Sequence, residues 1–170
     1  MSTLKVNALQ NTSGTAYGFI KQVVQASTST QVSVSTTTYT DTGLTASITP
    51  SSTSSKILVI VDQQLRVGRD SSVGNAGAGI KLLRGSTAIH TPVTNDQSNP
   101  LEPYGQSFYN NFMRFTLTKL DSPSSTSSVT YKTQGRPHLN TSNGVVNFQF
   151  TGSNYDQDGT SYITLLEIAA

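Results

Sequence analysis

The chain has no cysteine and no tryptophan, and only 12% of its residues are charged. Without cysteine there is no disulfide framework, no thiolate nucleophile and no thiolate-bound zinc. An average soluble domain carries roughly 25% charged residues, so this surface is close to uncharged. The net charge of +2 is too small to point to nucleic acid or an anionic membrane as partner. The longest apolar run, Ile57 to Val61, is far short of the ~20 residues that a spanning helix needs. Met1 to Asn7 lacks the apolar stretch of a secretory signal. The sequence therefore leads us to expect synthesis in a cytoplasm, without insertion in a membrane.

Hydroxyl groups fill the gap. Serine and threonine supply 49 of the 170 residues. Threonine suits strands because its branched Cβ fits a pleated surface. Serine competes with its own backbone and favours turns. Apolar residues are only 34%, so the core is thin, and oligomerisation is a common way for such a domain to bury more area.

Helical periodicity is nearly absent. About ten short strand signals recur instead, separated by Gly, Pro, Asn and Ser clusters, as in an all-β sandwich or jelly roll. Lys56 to Val61 is unbroken and β-branched, which predicts a strand buried on both faces at the centre of the core. Phe108 to Leu120 is the longest strand candidate, and a bulge near Met113 would reconcile Phe112 with the alternation that follows it. Val129, Tyr131 and Thr133 alternate, as do Val146, Phe148 and Phe150. The expected architecture is a jelly-roll-like antiparallel β-sandwich over residues 27–170, preceded by a short extended attachment arm over residues 1–26. Leu4, Val6, Leu9, Tyr17, Phe19 and Ile20 are the apolar residues by which that arm would dock.

Each kind of site chemistry finds little support. His90 and His138 are the two histidines; they read as a strand-end residue and a turn residue, and no Gly-x-Ser-x-Gly elbow accompanies them. Asn154, Asp156 and Asp158 with Gly159 resemble the opening of a calcium loop, but position 12 is Leu165 instead of a bidentate Glu, which leaves them weak candidates for an ion. Gly74 to Gly79 lacks the Gly-Lys-Ser/Thr ending of a phosphate loop and leads into a strand. Asp156 and Asp158 form the one close carboxylate pair, and they share a loop where glycoside hydrolysis needs carboxyls facing across a cleft. No enzyme activity and no cofactor are expected. Binding by contact fits better, because the loops collect Tyr104, Asn140, Asn143 and Tyr155 among small polar residues, the composition of contact surfaces.

Three stretches carry a resemblance. Ser2 to Gly14 (STLKVNALQNTSG) resembles the N-terminus of virion structural proteins, tail-fibre-like or minor structural, from marine and cyanobacterial tailed phages. Tyr39 to Pro50 with Ser55 to Val59 resembles their body domain, and Ser161 to Ile168 its last strand. The resemblance implies a virion-located homotrimer with a jelly-roll body, its N-terminal arm docked on other virion proteins and its loops presented to a host-surface glycan or protein. Phe112, Phe115 and Phe148 are aromatic positions that subunits of such an assembly could share. Two other roles remain open on the residues: a capsid decoration protein that stabilises the shell and, more remotely, a depolymerase of surface glycans.

Overall fold

The computed structural model describes residues 20–69, 77–91, 111–137, 144–150 and 159–169. Ten strands are formed by these residues: β1 (Ile20–Thr28), β2 (Val32–Val34), β3 (Thr40–Ile48), β4 (Lys56–Arg69), β5 (Ala78–Arg84), β6 (Thr87–His90), β7 (Asn111–Asp121), β8 (Val129–Pro137), β9 (Gly144–Phe148) and β10 (Ser161–Ile168). They build two packed antiparallel sheets, a β-sandwich. One sheet runs β1-β10-β4-β9-β2 with β7 on the other edge of β4; the second runs β3-β8-β5-β6.

The long strand β4 organises the first sheet. Its first half pairs with β10, from Ile168↔Lys56 to Tyr162↔Asp62. Its second half pairs with β9, from Leu65↔Phe148 to Arg69↔Gly144. Between these partners lies a seam at Gln63 and Gln64. There Ser161 Oγ accepts the Gln64 backbone N–H at 2.9 Å, and the Gln64 carbonyl accepts the Gln149 N–H at 3.1 Å. Side chain and turn thus replace the missing ladder bonds, as buried backbone groups require.

Alternation sends one face of each sheet inward. Leu44, Ala46, Ile48, Ile57, Val59, Val61, Leu82, Tyr131, Ile163 and Leu165 form one apolar cluster. Val34, Leu65, Val67, Ala78, Ile80, Val146 and Phe148 form another. Burying each large aliphatic side chain contributes about 1.5–3 kcal/mol. A buried polar belt divides the clusters. Thr133 Oγ1 donates to Gln63 Oε1 at 2.6 Å, and the Thr42 and Thr133 hydroxyls are 2.5 Å apart. With its amide assigned by its surroundings, Gln149 donates to the Thr30 and Thr42 carbonyls (3.2 and 3.0 Å) and accepts from Gln63 Nε2 and Ser161 Oγ. The belt therefore ties β3 and β8 of one sheet to β4 and β10 of the other.

Five sequence expectations change. Residues 20–26, assigned to the arm, belong to β1, which pairs with β10 from Ile20↔Ile168 onward; the boundary at residue 26 falls inside a continuous strand. Lys56 to Val61 is central but covered on one face only, since Ile57, Val59 and Val61 are buried while Ile60 is 39% exposed. No bulge occurs at Met113, because β7 keeps register with β4 from Ile57↔Asp121 to Val67↔Asn111. The alternation of Val146 and Phe148 does not extend to Phe150. Gln149 takes a positive φ of 51°, and Phe150 then packs against Phe112, with ring centroids 5.5 Å apart. Phe148 is fully buried within its own subunit, so it has no surface to share with another.

Candidate functional site

Most side chains singled out from the sequence lie outside the described residues: Leu4, Val6, Leu9, Tyr17 and Phe19 of the arm, the contact candidates Tyr104, Asn140, Asn143 and Tyr155, the ion candidates Asn154, Asp156 and Asp158, and His138. Ile20 is described and stands 58% exposed at the start of β1. Leu165, at position 12 of the calcium-like motif, is buried in the core within β10, so that position cannot turn a ligand towards the loop. His90 ends β6, where burial and the Lys119 charge hold it below the ordinary histidine range.

The described carboxylates are engaged in the scaffold. Asp121 accepts both Arg84 Nη1 (3.0 Å) and the Tyr131 hydroxyl (2.7 Å); burial first, then this hydrogen bond, raises the Tyr131 pKa. Asp41 accepts Lys132 Nζ (2.8 Å) and Gln134 Nε2 (2.7 Å). The Lys132 bond is the main cause of its lowered pKa, with burial opposing and Gln134 assisting. Asp62 holds Arg114 through two bonds of 2.9 Å. Glu167 is buried at the end of the sandwich, where Ser51 N–H (2.7 Å), Ser51 Oγ (2.6 Å), Ser55 Oγ (2.7 Å) and Gln22 Nε2 (2.7 Å) all donate to it. Burial disfavours its charge, but these donors outweigh burial and lower its pKa to about 2. Each of these acids has a structural task. Among the described residues, no group of three or more His, Cys, Asp or Glu side chains is placed to hold a metal ion.

The two outward faces differ sharply. On the β3-β8-β5 face, Asp41 pairs with Lys132, Ser47 Oγ meets Thr130 Oγ1 at 2.7 Å, and Lys81 and Arg136 stand 3.9 and 5.0 Å from the Tyr39 ring centre. That is a solvated face of ordinary composition.

The outward face of β1, β10, β4 and β7 carries an aliphatic row. Across it, Val23 pairs with Leu166, Leu166 with Leu58, and Leu58 with Leu120. The next row is Gln25, Thr164, Ile60 and Thr118. Val23 is 58% exposed and Leu120 48%. The exposed large hydrophobic side chains found among the described residues, Ile20, Val23, Ile60 and Leu120, all belong to these strands. Neither row carries a charge. Charges stand at the ends, with Lys56 opposite Ile168 at one and the Asp62–Arg114 pair at the other. A contiguous open apolar patch of this kind marks an interaction surface. Sequence reasoning missed it, although the signal was present: Leu58 and Ile60 made the run look buried on both faces.

No protein-family model and no curated protein matches the chain. Among solved structures it is similar to the T13 IBDV viral particle, at 12% identity and a TM-score of 0.40 over 97% of this chain and 42% of that one. It is also similar to the infectious bursal disease virus VP2 subviral particle, at 13% identity and a TM-score of 0.37 over 97% and 44%. A third likeness is to dimeric latent PorU from Porphyromonas gingivalis, at 14% identity and a TM-score of 0.34 over 95% and 14%. The chain spans less than half the length of each of these.

Proposed function

We propose that the chain is a non-enzymatic structural component of a tailed-phage virion, a β-sandwich that acts by contact and assembles with copies of itself as a homotrimer. The observation that supports this most is the one-sided apolar face, open on an otherwise hydroxyl-rich sandwich. An open apolar row rimmed by polar residues is the kind of surface on which subunits meet. The resemblance of residues 2–14, 39–50 and 161–168 to phage virion proteins supplies the setting. In this reading the N-terminal segment docks on the particle and the loops face the host surface.

Quantitative mass spectrometry of purified virions, with the protein localised by labelled antibody, tests the reading. The chain is expected in the particle, at a few to tens of copies for a tail appendage, and its deletion is expected to reduce adsorption. Hundreds of copies with normal adsorption would make it a capsid decoration protein. Absence from the particle would end the proposal.

A further inference from the structure

We infer that the aliphatic face of β1, β10, β4 and β7 is where copies of this chain pack on one another. This rests on reading the chain as a contact protein, and it names the contact.

Size favours a folded partner. The four strands run side by side over about seven residues, from Lys56 to Asp62 on β4; at about 4.8 Å between strands and 3.4 Å per residue the footprint is about 450 Å². Two copies would then bury about 900 Å² in total, the size of a weak, reversible contact. The open aliphatic positions reach from Val23 on one outer strand to Leu120 on the other. A single extended peptide would cover little more than one strand of that width, whereas a second sheet covers all of it.

Charge favours a second copy. The rows Val23-Leu166-Leu58-Leu120 and Gln25-Thr164-Ile60-Thr118 hold no ionic group, so a neighbouring copy can seat on them without leaving an unpaired charge buried at the centre. Nucleic acid or an anionic surface would call for cations in those rows. The Asp62–Arg114 pair at one end is already neutralised within the subunit. Leu166 and Leu58, half-buried between the exposed outer strands, supply the flat middle of the contact.

Sedimentation of the full chain with the Val23→Lys/Leu120→Lys double variant tests this. Both positions are largely exposed, so the subunit keeps its fold and its strand-type circular dichroism. Ser47→Lys, on the polar face, is the control. The wild type is expected to form a discrete oligomer by about 100 µM, the double variant to associate at least tenfold more weakly, and the control to match the wild type. Association of the double variant at wild-type strength would overturn the inference, as would equal weakening by Ser47→Lys. A monomeric wild type would also overturn it; if removal of residues 1–19 then induced association, the N-terminal segment would be the occupant. None of these results alters where the chain sits in the particle, which the virion experiment reads separately.

Discussion

Leu58 on β4 stands directly opposite Leu120 on β7, and both turn away from the core that Ile57, one residue before Leu58, helps to fill. Neighbouring residues of one strand thus have opposite fates. Leu120→Thr is expected to change the stability of the dilute subunit by less than about 0.5 kcal/mol. Ile57→Ala should cost about 2–5 kcal/mol, because it leaves a cavity between the sheets. Urea denaturation at low protein concentration compares the two, and similar costs would mean that the Leu120 face is closed.

Gly135 lies where β8 passes Phe148, and the phenyl ring occupies the place of a Cβ at that position. Phe148 is fully buried and cannot swing aside. Gly135→Ala is therefore expected to destabilise by about 2–3 kcal/mol or more through overpacking. Adding Phe148→Leu should recover part of that loss, a coupling that a double-mutant cycle in urea would register.

The polar belt makes its own demand. Thr133→Val keeps shape but removes the donor to Gln63 Oε1 and the partner of the Thr42 hydroxyl. The expected loss is about 1–3 kcal/mol, the cost of leaving buried polar groups unpaired. A thermal midpoint unchanged from the wild type would show that the belt contributes nothing to stability.

Acid should loosen the end of the sandwich near Glu167. Its pKa falls from 4.5 when unfolded to about 2 when folded. The carboxylate therefore contributes stability that is complete above pH 4.5 and lost as pH falls towards 2. Denaturation curves across that range should show a shallower decline for Glu167→Gln, which is also expected to be about 1–3 kcal/mol less stable at pH 7. Equal slopes would contradict the role of the Ser51, Ser55 and Gln22 donors.

The all-β class, the two-layer build and most strands were legible in the sequence, because alternation as at Val129, Tyr131 and Thr133 has one physical meaning in a strand. The Pro50 to Ser55 turn and the break after Asp121 were equally plain. Gln63 and Gln64 hid the true length of β4. Two adjacent amides read as the end of a buried run, and the partners that receive them are distant in sequence: Thr133 Oγ1 donates to Gln63 Oε1, and the Phe150 N–H donates to Gln64 Oε1. The open outer face was misread because an unbroken apolar run does not distinguish a strand covered on both faces from one covered on a single face. The bulge expected near Met113 arose from treating Phe112 as a core residue, when its partner is Phe150 outside the core.

What we propose for this chain turns on one thing, an apolar sheet face that joins it to its own kind. Sedimentation velocity of the unmodified chain, compared at about 0.1 M and about 1 M salt, addresses it most directly, since salt screens ionic contacts but leaves apolar ones intact. An oligomer that persists or strengthens at high salt is expected. An oligomer that dissolves into subunits at high salt, or a monomer at both, would contradict it.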